Sequence, residues 1–198
     1  SMTRAPFVMA KAETAFARTP EIYDTTIGWR FTNEKLSALH YPFAMGETAE
    51  NVAERYGVSR EAQDEFAYGS QLKYKAAAEA GKFKDEIIPI PVPQRKGDPV
   101  IFDTDEHPRL SSVEKLGTLG AAFKKGGTVT AGNASGINDG AAASIIVSEE
   151  IVKRFNLKPM ARIVSAAVAG VEPAYMGMGP VPATLKALKR AGLTINDI

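Results

Sequence analysis

Two nearly continuous apolar runs, Ala141–Val147 and Ile163–Val171, constrain the fold more than any other feature of the 198 residues. Runs of this length without polar alternation predict strands buried on both faces, as in a sheet covered by helices on either side. Two such strands cannot pair all of each other's edges, so further strands are expected from sequence outside this stretch or from a companion chain. The expected class is α/β, and the chain is expected to be an incomplete piece of its fold. Alone, it is expected to be partly disordered, aggregated or bound to the missing strands.

Helix signals surround these runs. Thr48–Tyr56 stops at Gly57, which suits the left-handed position past a helix end. Ser59 caps a second helix with Glu61 in its first turn, and that helix runs to Ala80 before Gly81. Its expected inward stripe is Ala62, Phe66, Gly69, Ala76 and Ala80, small enough for close packing. Ser148 caps a helix through Phe155, and Pro182 opens one through Ala191 with Lys189 and Arg190 in its last turn and Gly192 beyond.

The remainder is less regular. The first forty-odd residues mix apolar and polar types without a lasting period. Glu86–Val92 has strand composition, but Pro89 and Pro91 restrict it to an edge. Asp98–Gly120 reads as a polar loop with a short helix near Val113–Leu116. The texture divides near residue 137 into an irregular, helix-bearing first part and an α/β second part.

Composition removes several functions. Lys and Arg number 24 against 23 Asp and Glu, which argues against nucleic-acid or anionic-membrane binding. No run of about 18 apolar residues exists to span a bilayer, and the apolar patch at Pro6–Ala10 is too short for a signal-peptide core. There is no cysteine, hence no disulfide, thiolate metal site or cysteine nucleophile in this stretch. Asp103, Asp105, Glu106 and His107 match no strong metal spacing and read as a solvated acidic loop.

The most specific segment is Gly127–Ala141, read Gly-Thr-Val-Thr-Ala-Gly-Asn-Ala-Ser-Gly-Ile-Asn-Asp-Gly-Ala. It predicts a strand entering a turn in which Gly132, Gly136 and Gly140 permit close backbone approach. Ser135 presents a hydroxyl there, able to bond an amide. The plainer account is a turn whose Ser, Asn and Asp only satisfy backbone groups.

This segment resembles the thiolase family's Ala-Gly-Asn-(Ala/Ser)-Ser-Gly-x-Asn-Asp-Gly-Ala. Met45–Val52 is similar to the family's Met-Gly-x-Thr-Ala-Glu-Asn-Val. Ser59-Arg60-Glu61 with Gln63-Asp64 and Phe66-Ala67 resembles its next helix, and Met176–Ala183 its Met-Gly-x-Gly-Pro. Four motifs in the family's order cover residues 45 to 183. Arg4–Met9 and Tyr23–Phe31 look like the degradative members that cleave 3-oxoadipyl-CoA.

The resemblance implies a layered α/β/α core with an irregular loop domain over the coenzyme A site. Residues 1–137 would be that loop domain, 138–158 the end of the N-terminal core half, and 159–198 the start of the C-terminal half. It further implies that Ser135 bonds the pantetheine amide and that Arg109 approaches the nucleotide end of coenzyme A, where guanidinium suits phosphate or adenine. Met45, Phe123, Ala131 and Leu36 would line the pantetheine tunnel, although core packing is the plainer role for Phe123 and Met45, and a solvated loop charge for Arg109. Coenzyme A and acyl-CoA would be substrates, with no permanently bound cofactor and no metal. The implied protein is cytoplasmic and a homodimer or homotetramer.

Two departures bear on activity. Many biosynthetic members have His before the Met-Gly, where this chain has Ala44. That fits a degradative enzyme better than an acetoacetyl-CoA synthase. The family's two catalytic cysteines, its Gly-His-Pro histidine and its Asn-Glu-Ala-Phe motif do not occur here, and thioester exchange needs a nucleophile and a proton relay. The chain alone is therefore expected to be inactive, with no catalytic residue of its own. The competing readings are a non-catalytic acyl-CoA-binding or assembly fragment and a different condensing enzyme of the same fold.

Overall fold

Ser59, Ser112 and Ser148 each turn the chain into a helix by the same device. Their hydroxyls accept the backbone N–H three residues on, from Ala62, Lys115 and Ile151, satisfying one of the donors that a helix start leaves open. The computed structural model describes residues 2–198. In chain order its first elements are β1 (Phe7–Met9), β2 (Ile22–Asp24), α1 (Glu34–Leu39), α2 (Met45–Tyr56) and α3 (Arg60–Glu79). Then come β3 (Ile90–Val92), β4 (Val100–Phe102), α4 (Val113–Gly117), α5 (Glu149–Arg154) and α6 (Pro180–Ala191). Helices α2 to α6 follow the sequence signals closely, whereas α1, like β1 and β2, lies in the span read as irregular. Gly57, Gly81 and Gly192 all take positive φ just past a helix end.

Two compact units result: Ala53–Gly136, and the residues up to Val52 together with Ile137–Ile198. In the second of these, β1 and β2 pair antiparallel with Val8 opposite Tyr23. Asn51 Nδ2 donates to Ala174 O at 3.2 Å, tying α2 to the turn of 3-10 helix at Pro173–Met178. Thr3 N donates to Asp139 Oδ1 at 2.9 Å.

The two apolar runs of this unit depart from expectation. Neither pairs with a strand among the described residues, and Ile145 is 92 % exposed. A ladder needs a neighbour on at least one edge, and the described chain offers none to either run. Ile163–Val171 nevertheless keeps a strand's period of two. Ser165, Ala167 and Ala169 are half-buried while the residues between them are exposed. α6 covers the half-buried side. Its Ala187 O accepts from Ser165 Oγ at 2.8 Å, while Lys186 Nζ and Arg190 Nη1 donate to Val168 O and Ala166 O, each at 2.7 Å.

The unit Ala53–Gly136 is built on α3 and α4, with β3 and β4 as a separate antiparallel pair, Pro91 opposite Ile101. β4 lies in the span read as polar loop: three apolar residues suffice once β3 supplies a partner. Of the expected inward stripe of α3 only Gly69 is half-buried, whereas Phe66 is 79 % exposed and Ala62, Ala76 and Ala80 are exposed with it. The covered face carries Gln63, Asp64, Ala67, Gln71 and Tyr74. Hydrogen bonds made by Arg60, Gln63, Asp64 and Gln71 join the half-buried Ala67, Gly69 and Ala77 in holding this helix to its neighbours.

Candidate functional site

The Thr128–Gly136 turn hangs on a chain of buried polar contacts. Thr130 is fully buried and Asp64 is 2 % exposed. Asn133 closes the turn on itself, since Oδ1 accepts from Thr130 N at 2.8 Å and Nδ2 donates to Thr128 O at 3.0 Å. The same Nδ2 donates to Asp64 Oδ1 at 3.0 Å. Asp64 Oδ2 accepts from Arg60 Nε at 2.7 Å, and the Arg60 guanidinium reaches on to Leu116 O and Leu119 O at 2.7 and 2.9 Å. Gln63 Nε2 adds a 2.9 Å bond to Thr128 Oγ1. A buried carboxylate is tolerated because it is paired and hydrogen-bonded on both oxygens.

Two glycines sit where a Cβ would crowd a neighbouring side chain. A Cβ on Gly132 would lie 2.6 Å from Leu116 Cδ2 and 2.7 Å from Leu119 Cδ1. A Cβ on Gly136 would lie 2.4 Å from the His107 ring, so the His107 imidazole packs directly on the Gly136 backbone. Two residues on, Arg109 N donates to Gln71 Oε1 at 3.0 Å. The 107–109 segment is thereby fixed between α3 and the residue after Ser135.

Ser135 and Ala131 are exposed on the turn, and among the described residues no hydrogen bond engages the Ser135 hydroxyl. Arg109 is exposed on the neighbouring segment. Phe123 is exposed as well, on the segment closed by the Ala122 N–Val129 O bond of 2.8 Å. Four of the six expected ligand residues thus belong to one unit, and the segments carrying Arg109 and Ser135 meet where His107 packs on Gly136. Leu36, on α1, and Met45, at the start of α2, belong to the other unit. Met45 is 77 % exposed, so it does not serve as core in this chain. Ala44 stands just before α2, its N–H donating to Glu47 Oε2 at 2.6 Å.

The turn's Ser and Asn divide the two roles that the sequence left open. Asn133 satisfies backbone groups, as the plainer account has it, and Ser135 is exposed with its hydroxyl unengaged by any described residue. Asp64, Arg60, Gln71 and His107 are additions to the expected site residues. The i,i+4 spacing of Arg60 and Asp64 is their one local signal. An open cleft of about 360 Å³ elsewhere on this unit, lined by Tyr74, Phe83, Lys84, Asp103 and Asp105, contains none of the six. There the Tyr74 hydroxyl is pushed above its ordinary value by burial and then by the Asp105 charge.

Known proteins share this frame. Residues 1–150 match the family described as thiolase, N-terminal domain, and residues 157–198 match thiolase, C-terminal domain. A beta-ketoadipyl-CoA thiolase of Acinetobacter baylyi is 54% identical over 199 residues, covering 100% of this chain and 50% of that protein. The 3-oxoadipyl-CoA/3-oxo-5,6-dehydrosuberyl-CoA thiolase of Escherichia coli is 51% identical with the same coverage. The crystal structure of human mitochondrial 3-ketoacyl-CoA thiolase in complex with CoA superposes with a TM-score of 0.81 at 42% identity, over 100% of this chain and 48% of that one. The chain spans about half the length of the curated relatives it matches. With both family domains matched in order and a thiolase fold along its whole length, the chain belongs to the thiolase family.

Proposed function

We propose that this chain forms the coenzyme-A-holding part of a thiolase that cleaves a 3-oxoacyl-CoA, with 3-oxoadipyl-CoA as the substrate. The observation that carries the reading is the exposed Ser135, whose hydroxyl no described residue engages, on a turn whose Asn133 side chain is fully used by Thr130, Thr128 and Asp64. Such a hydroxyl suits an amide of the pantetheine arm, and Arg109 on the adjoining segment suits the phosphates. Phe123 and Ala131 supply apolar wall beside them. Leu36 and Met45, both exposed, are further apolar residues assigned to the pantetheine arm. The substrate class rests on the names of the relatives from Acinetobacter baylyi and Escherichia coli.

The division of labour follows from composition. Thiolysis needs a thiolate to take the acyl group from the 3-oxoacyl substrate, release acetyl-CoA and pass the acyl group to coenzyme A. With no cysteine in these residues, their part is to bind and orient coenzyme A, and the chain by itself forms no acyl-enzyme. On this reading residues 1–137 are the loop domain, 138–158 end one core half and 159–198 begin the other.

The test is a chimera in which this chain replaces the corresponding half of the Acinetobacter baylyi relative. Thiolysis of 3-oxoadipyl-CoA is expected. Ser135→Ala should then raise KM for coenzyme A by about fivefold, the worth of a hydrogen bond of about 1 kcal/mol, with kcat unchanged. An active chimera indifferent to both Ser135→Ala and Arg109→Ala would refute the assignment.

A further inference from the structure

Asp64 touches no residue expected to meet coenzyme A, yet the bonds that anchor the Ser135 turn lead back to it. We infer that Asp64 is a positioning residue for the site, acting through Asn133 to hold the turn that presents Ser135. Its purpose rests on the proposed coenzyme A reading; its test does not.

Hydrogen-bonding valence is what makes Asp64 the anchor. Asn133 has one acceptor oxygen and one amide group, and two of its three bonds are to the turn's own backbone. Gln63 also reaches the turn from α3, at Thr128 Oγ1, but the two backbone bonds leave the Asn133 end of the turn untied to α3. The third bond, to Asp64 Oδ1, anchors it. Asp64 can serve because Arg60 occupies its other oxygen and is itself fixed by Leu116 O and Leu119 O. The carboxylate accepts from both neighbours at once. An amide at the same position would have to turn its NH2 toward either Arg60 or Asn133, both of which are donors there. The turn is therefore held by a relay of ionised and amide groups that no neutral isostere reproduces.

Amide hydrogen exchange on the full chain reads this directly. Thr130 N–H donates to Asn133 and Gly132 N–H to Thr130 Oγ1 at 3.1 Å, so both report on the turn. In Asp64→Asn, exchange at these two amides should quicken by about tenfold, while the α3 amides of residues 67–74 keep their wild-type rates. Asn133→Asp should do the same, and the double variant should fall short of the product of the two, because both break one relay. Unchanged exchange at Thr130 and Gly132, equal quickening along α3, or multiplicative effects in the double variant would each overturn the inference. Titration of the same wild-type sample with coenzyme A keeps the two claims apart. Failure to bind would count against the proposed function and leave the exchange result intact.

Discussion

Asn133 Nδ2 lies 3.0 Å from Asp64 Oδ1 across 69 positions of sequence, and this bond joins the turn to α3. Removing the Asn133 side chain takes the partner from the buried Thr130 N–H and from one oxygen of Asp64, and one donor from Thr128 O. An unsatisfied buried group costs about 1–3 kcal/mol. Asn133→Ala should therefore destabilise the unit Ala53–Gly136 by about 3 kcal/mol, read as a lower urea midpoint at unchanged slope. A midpoint within error of wild type would mean that water replaces the amide without loss.

The two crowded glycines of the turn should respond differently. Gly132 faces Leu116, which is buried, and Leu119. Gly132→Ala therefore overpacks a filled space and should cost about 1–3 kcal/mol in urea unfolding. Gly136 faces the ring of the exposed His107, which can swing aside. Gly136→Ala should leave the urea midpoint near wild type and instead shift the His107 ring resonances in an NMR spectrum. Equal destabilisation by the two substitutions would contradict this distinction.

What is legible in the sequence follows from the range of each interaction. Ser59, Ser148 and Gly192 announce their helix ends because a cap is satisfied within a few residues. The Thr128–Gly136 turn stands out by its glycines and by its likeness to thiolase motifs. The covered face of α3 escapes a search for apolar periods because its partners are polar and distant. Asp64 is buried by Asn133 and Arg60, and no apolar period marks such a position. β4 is hidden for a related reason, since three residues form a strand only when β3 lies alongside. The apolar runs are strand-like in pattern, and Ile163–Val171 keeps that pattern against α6, but hydrogen-bonded pairing is a property of two segments and cannot be read from one.

Glu61 gives the chain a pH-dependent contribution to stability. Its carboxylate accepts from its own backbone N–H and then from the Ser59 hydroxyl, which holds it below the ordinary 4.5. A carboxyl lowered in the folded state adds stability above its unfolded value, and that stability is lost as pH falls through the folded value. Glu61→Gln should thus lower the thermal midpoint slightly at pH 7, and the gap to wild type should close in acid below the folded value. A gap that persists in strong acid would assign the effect to packing at the start of α3 rather than to charge.

The apolar runs govern how the chain behaves in solution. Ile145 and Ile146 lie exposed in one run, and Ile163, Val164 and Val168 in the other. Contiguous apolar surface of this kind favours association, and an extended apolar segment without a partner offers open hydrogen-bonding edges as well. The chain should therefore associate with rising concentration, seen as a growing mean mass in light scattering. Ile145→Lys with Ile146→Lys should reduce that growth, because charge on an open edge opposes pairing. The control is Leu188, which is a buried residue of α6. Leu188→Ala should loosen α6 by about 2–5 kcal/mol and increase association, since the covered side of Ile163–Val171 would then be uncovered too. A chain that stays monomeric at every concentration, with one sharp thermal transition, would show that these residues shield their own apolar runs in solution.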